Sequence, residues 1–197
     1  MSTLRQPRFL TLCLLVLLAA MCRLIPFGAV NFQPMGAIAL FGGACFASRR
    51  SALLVPLFAL LLSDLVLNLT RHSSQAGQAW MLTAAVYAGF AMVAGIGMLM
   101  RNRSRSFGRI LGGSLAGSVL FFLVSNLGWW VIFYNANPAS LLDCYWQAIA
   151  FFRGQSAFLN TIAADLVFNG CLFGALALAE SRFPVLRSEA STAPQIA

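Results

Sequence analysis

The sequence predicts an all-α integral membrane protein, a bundle of six transmembrane helices, and three observations predict it. Hydrophobic residues make up 60% of the 197-residue chain, charged residues only 9%, and mean hydropathy is +0.82; that leaves too little polar surface to coat a soluble domain of this size. Six apolar runs are joined by short polar links, where a spanning helix needs ~20 apolar residues for a hydrocarbon core ~30 Å thick. The 13 basic residues are all Arg and gather where apolar runs end, which is a topological pattern and not a nucleic-acid-binding face.

The first run, Phe9 to Ile25, follows a short basic leader. It has the length of a signal peptide, but Met21 and Cys22 sit where small residues would mark cleavage and Arg23 follows at once. Pro26, Gly28, Asn31 and Pro34 then mark a structured outer loop. The second run, Met35 to Ala47, is crowded with Gly and Ala and only 13 residues long. A helix that short is expected to sit packed inside the bundle and not to face lipid along its length.

Ser51 to Leu69 is the third run, with a kink expected at Pro56. RHSSQAGQ, residues 71–78, is a polar link to the fourth run, Trp80 to Met100. RNRSRSFGR, residues 101–109, carries four Arg ahead of the fifth run, Ile110 to about Asn135. The mixed polar and aromatic stretch that follows predicts an outer loop with an interfacial or re-entrant helix. Ala157 to Ala179 is the sixth run. Residues 1–180 read as one transmembrane domain and 181–197 as a polar, disordered cytoplasmic tail.

Six runs put both termini on one side, and the Arg residues then divide ten to three. One face collects Arg5, Arg8, Arg49, Arg50, Arg101, Arg103, Arg105, Arg109, Arg182 and Arg187; the other has Arg23, Arg71 and Arg153. The ten-Arg face is expected to be cytoplasmic. Counted from those anchors at ~1.5 Å per residue, Arg23, Asp64, Asn126 and Asp165 all lie ~21 to 26 Å deep, outward of the midplane. Ionised groups at that depth cost at least ~2.5 to 3.5 kcal/mol each on insertion scales, so they are expected to face inward and pair. Arg23 is the cation available to Asp64 or Asp165, and the residues alone leave the choice open.

The polar layer extends along helical faces from Asp64 to Asn68, from Thr161 through Asp165 to Asn169, and from Ser125 and Asn126 to Trp129. The functional reading is a substrate pocket open to the outside, built from Asn31, Gln33, Asp64, Asn68, Asn126, Trp129, Trp130, Asp143, Cys144, Tyr145, Trp146, Arg153 and Asp165. The bland alternative, from another class, is a non-transporting scaffold in which Arg23, Asp64, Asn126 and Asp165 only lock helix packing.

Enzyme chemistry finds no footing. Asp64 and Asp165 sit in LLSD and IAAD, without the Gly-x-Gly-Asp context of intramembrane aspartyl proteases and with an Arg for company where a dyad would share a proton. His72 is the one histidine, five cysteines are scattered without a Cys-x-x-Cys pair, and no P-loop is present. No metal, cofactor or nucleic-acid partner is expected; the expected partners are a small solute and the lipid bilayer.

Three blocks carry a resemblance. RLIPFGAVNFQPMGAIALFGGACFASRRSALLVPLFALLLSDLVLNL, LFFLVSNLGWW and CYWQAIAFFRGQSAFLNTIAADLVFNGCLFGA cover roughly half the chain. They resemble a bacterial family of uncharacterised membrane proteins that is itself similar to the substrate-binding S components of energy-coupling-factor (ECF) vitamin transporters. The resemblance implies a six-helix bundle in the bacterial inner membrane with cytoplasmic termini. It also implies a vitamin-sized substrate under the loop between the first two helices, and a transmembrane coupling protein with ATPase subunits as partner.

S components dock that partner through small residues four apart near the start of the chain, whereas the first run here carries bulky Leu and Val. The nearest equivalents are Ala39, Gly43 and Ala47, with Ala84 and Ala88 or Gly113 and Gly117 as others. Packing within the bundle is the competing use of each. A mixed polar and aromatic pocket fits thiamine-, flavin- and cobalamin-like molecules alike.

Overall fold

A computed structural model of the chain describes residues 5–70, 79–101, 106–150 and 155–187. Seven α-helices make up most of the described residues: α1 (Arg5–Cys22), α2 (Met35–Cys45), α3 (Arg49–Thr70), α4 (Ala79–Met100), α5 (Phe107–Phe133), α6 (Leu141–Ile149) and α7 (Ala157–Arg182). Short 3-10 turns precede α6 and follow α7.

Four helices are long and apolar enough to cross a membrane: Arg49–Leu69 with mean hydropathy 2.2, and Met81–Met100, Phe107–Phe133 and Ala157–Arg182, each with 1.8. The apolar parts of α1 (Pro7–Cys22) and α2 (Met35–Cys45) are shorter, so length and composition of the described helices support four spans and not the full six. The bundle turns large apolar side chains outward, Leu14, Phe58, Leu65, Leu99 and Leu178 among them. Only a lipid-like surrounding accommodates that pattern without cost.

The core is organised around α2. All 11 of its residues are buried, as expected for a helix apolar on every side. It packs most extensively on α4 and also meets α3, α5 and α7. Its glycines fix these approaches. A Cβ on Gly43 would collide with the Ala94 carbonyl and lie 2.9 Å from the Gly97 Cα, while one on Gly42 would strike the Pro56 ring. Pro56 thus sits inside a continuous α3 with its ring in the space Gly42 leaves.

The face offered by Ala39 and Gly43 is therefore occupied by this chain and closed to a docking partner; Ala39 is 2% exposed, and Ala47 lies beyond the helix end in solvent-accessible backbone. Gly113 faces Met100 and Gly117 faces Val93. Of the small-residue pairs considered, Ala84 and Ala88 are the exposed one.

A buried helix needs partners for its ends, because its first N–H and last C=O groups have none within the helix. At the α2 C-terminus, Arg101 Nη1 donates to Ala47 O at 2.7 Å and reaches Phe46 O at 3.4 Å. At its N-terminus stands the Asp165 carboxylate, close enough to Gly36 that a Cβ there would collide with it. Opposite charges thus flank the two ends of the helix dipole.

Two long-range contacts order the rest. Arg8 pairs with Glu180 at 2.6 Å and donates to Leu186 O, joining the start of α1 to the end of α7. Helix α7 accordingly continues to Arg182 and the turn Pro184–Leu186 packs back on the bundle, with Leu186 buried. The ordered fold therefore extends past the tail boundary expected at residue 180. At the other end of α1, Arg23 pairs with Asp64 near the end of α3.

Candidate functional site

The loop after α1 is held in one conformation by α7 and its approach. Gly28 and Asn31 take left-handed backbone, φ 73° and 58°, conformations that Gly and Asn adopt most readily. Gln155 bonds both sides of the turn, accepting from Val30 N at 2.9 Å and donating to Gly28 O at 3.2 Å. Asn160 Nδ2 donates to Val30 O at 2.9 Å, and Phe27 and Phe32 pack on Phe168.

Beneath this loop the polar layer divides into two networks. Arg23 donates from Nη1 to Asp64 and to Ser63 Oγ at 3.0 Å, and from Nε to Gln33 Oε1 at 3.0 Å. Tyr87 donates to Asp64 Oδ2 at 2.9 Å. Asp64 is thus the partner of Arg23, and their side chains keep 26% and 15% of their exposure.

Asp165 is left without a cation among the described residues. It is 3% exposed; Oδ2 accepts from Ser118 Oγ at 2.6 Å, while Oδ1 has no hydrogen-bond partner. One turn on, Asn169 donates to Ser114 Oγ at 3.0 Å. Asn169 Oδ1 also makes no hydrogen bond; buried polar groups normally have their lone pairs satisfied, and of these two atoms Asp165 Oδ1 belongs to the residue that lines the cavity.

Between the two networks lies a cavity of about 410 Å³. Arg23, Asn31 and Gln33 line it from the loop side, Asp165 and Thr161 from α7, and Ser125, Asn126 and Trp129 from α5. Leu82, Val86 and Phe90 form an apolar wall on α4, Phe121 adds to it from α5, and Met35 and Gly36 close the side toward α2. All the elements that line it fall within the segment on which the comparison with known families decides. The chain belongs to DUF6580, a family of unknown function, over residues 3–186. The DUF6580 match thus spans the cavity, the loop above it and the turn after α7. No curated protein and no solved structure matches the chain.

Of the residues expected at the site from sequence, Asn31, Gln33, Asn126, Trp129 and Asp165 line the cavity together with Arg23. Asp64 stands behind Arg23 and reaches the cavity only through it. Of the others, Asn68, Trp130, Asp143, Cys144, Tyr145 and Trp146 do not line it. Asn68 is exposed at the end of α3. Trp130, about 100° round the helix from Trp129, turns away and donates to Asn137 O at 3.0 Å.

Helix α6 packs across the end of α5 and contributes nothing to the cavity lining. Its one buried side chain, Cys144, lies against Asn126 O at 3.7 Å, and Tyr145 donates to Leu123 O at 2.7 Å. Asp143 and Trp146 then point outward by helical periodicity, Trp146 being 72% exposed. Burial pushes the Cys144 thiol up from its ordinary value, which keeps it protonated and poorly nucleophilic at neutral pH. Arg153 and His72 lie outside the described residues. Among the described residues no three His, Cys, Asp or Glu side chains gather as a metal site would require.

The sequence reading missed the apolar wall. Its signal was present: Leu82, Val86 and Phe90, and likewise Phe121, Ser125 and Trp129, stand at i, i+4 and i+8, the spacing that aligns side chains on one helix face. Ser114 and Ser118 on α5 were also missed, and they repeat the same spacing opposite Asp165 and Asn169.

Proposed function

We propose that this DUF6580 protein binds a small organic solute, of vitamin or vitamin-precursor size, from the outer face of a bacterial inner membrane and takes part in its import. The observation that carries the reading is the cavity of about 410 Å³ with one apolar wall and a few convergent polar groups, the make-up and size range of small-molecule sites. The resemblance to ECF S components supports the same reading and supplies the energetics, a coupling protein with ATPase subunits. For docking such a partner the exposed pair Ala84 and Ala88 on α4 replaces the occupied α2 face.

On this reading the single domain crosses the membrane six times. Arg8 with Glu180 joins the start of α1 to the end of α7, and Arg23 with Asp64 joins the end of α1 to the end of α3. The chain must then return between Arg23 and Arg49 by way of the loop and α2, and the 11 residues of α2 rise only ~16 Å, so the structured loop makes up the remaining depth. The ten-Arg end and both termini are cytoplasmic by charge bias, and the cavity opens outward.

A non-transporting scaffold is the second reading, favoured by the closed network in which Arg23 donates to Asp64 and Ser63 and Tyr87 donates to Asp64. The full chain, extracted in mild detergent and analysed for released small molecules by mass spectrometry, separates the two. Wild type is expected to release a solute that Leu82→Trp, which adds bulk to the apolar wall of the cavity, does not hold at unchanged thermal stability. Absence of any solute from wild type would favour the scaffold.

A further inference from the structure

Among the described residues, the charges around the cavity do not balance. Arg23, one of its two charged lining residues, is matched by Asp64 behind it. Asp165, the other, is 3% exposed; Ser118 Oγ and the Ala37 backbone N–H attend its carboxylate, no cation does, and its Oδ1 makes no hydrogen bond of its own. The α2 N-terminus beside it carries only about half a positive charge. Formal charges of +1 for Arg23 and −1 each for Asp64 and Asp165 leave a cavity that is net negative, in surroundings of low dielectric where that charge acts strongly.

The opposite wall suits the same kind of occupant. Phe90 and Phe121 stack with centroids 4.4 Å apart and planes 17° apart, and Trp129 lines the cavity from the same face of α5 as Phe121. Aromatic faces attract cations, Trp most strongly. Gly36 matters here as well: a Cβ at that position would fall within 2.7 Å of the Asp165 carboxylate carbon, so the absent side chain leaves the carboxylate room at the cavity floor.

Resting on the reading of the cavity as a solute site, we propose that the solute is an organic monocation, an ammonium or protonated nitrogen base. Its charge is met by Asp165, and its apolar body lies against Phe90, Phe121 and Trp129. Arg23, already paired, supplies hydrogen bonds to neutral acceptors and does not select an anion.

Three probes of one shape test this: benzylammonium, benzyl alcohol and benzoate, titrated at pH 7 against the full chain in detergent and followed by ligand-observed NMR. Benzylammonium is expected to bind ~10- to 100-fold more tightly than benzyl alcohol, the range of a charge-assisted hydrogen bond, and benzoate most weakly. Asp165→Asn keeps the shape and the acceptor for Ser118, so it should abolish the preference for the cation while leaving benzyl alcohol unchanged. Asp143→Asn, on the exposed face of α6, should leave the preference intact. Equal binding of the three, a preference for benzoate or benzyl alcohol, or a cation preference that survives Asp165→Asn overturns the charge assignment and leaves solute binding standing. Binding of none of the three, together with no solute released from wild type, overturns both.

Discussion

At the level of single residues, the two aspartates of the polar layer have different physical situations and should respond differently to mutation. Arg23→Ala strands Asp64 with Tyr87 as its remaining partner, and a partly exposed pair of this kind should cost about 1–3 kcal/mol, below the figure for a fully buried one. Asp64→Asn retains an acceptor for Arg23, which also keeps Gln33 and Ser63, and should cost less. Asp165→Asn, which removes a buried charge with no cation beside it, should change stability least of the three. Thermal unfolding in detergent measures the order, and an Asp165→Asn loss equal to that of Arg23→Ala would show that Asp165 is the true counter-ion. The layer was legible in sequence because depth can be counted along a helix from Arg anchors, and charged residues at one depth stand out against apolar neighbours. The cavity wall was not, because Leu82, Val86 and Phe90 have the same composition as residues that face lipid or core. Asn68 and Trp130 were misplaced for a related reason: depth fixes a residue's height along the helix axis and says nothing of its direction around it.

Among the elements, α2 shows how a segment too short to span can still determine a bundle. Its 11 buried residues have no lipid-facing side, and its small residues admit neighbouring backbones at distances where dispersion contacts are dense. The sequence made this much legible, since 13 apolar residues rich in Gly and Ala cannot both span and satisfy their ends in lipid. What it did not reveal is how those ends are satisfied, because Arg101 and Asp165 come from remote parts of the chain. Helix α6 was legible as a short separate helix but not in its orientation, for which a nine-residue segment offers only one buried position. Gly43→Leu tests the role of α2. Its new side chain would meet the Ala94 backbone and not a flexible side-chain tip, so overpacking of typically ~1–3 kcal/mol is expected, with the upper end favoured. Thermal stability and solute retention should fall together in the isolated protein. A Gly43→Leu protein that is stable and retains solute, yet fails in cellular uptake, would return this face to partner docking. Gly174→Ala, where nothing lies within 4 Å of the added carbon, serves as the neutral control.

For the whole molecule, what matters is which end faces the cytoplasm, because the cavity lies toward the end that holds Arg23 and the loop after α1, and the proposed import requires loading from outside. Contacts between remote segments fix which helix termini share an end: Arg8 with Glu180 at one, Arg23 with Asp64 and Gln155 with the loop after α1 at the other. They do not fix where the membrane's two faces lie. The proposed orientation rests on charge: among the described residues Arg8, Arg49, Arg50, Arg101, Arg109, Arg182 and Arg187 stand at or beyond the helix ends of the first group, while Arg23 is held within the second. The expected outcome follows for cysteine reporters in a chain whose five native cysteines have been replaced by Ala. A cysteine at Ser106, which precedes α5, should react with a membrane-impermeant maleimide only in inside-out vesicles; one at Asp143, exposed on α6, should react only in intact cells. Ser74, a natural second reporter for the outer link, lies outside the described residues, which is why α6 is the better choice. Reversed labelling would put the cavity mouth in the cytoplasm, and the same binding site would then serve export or sensing in place of import.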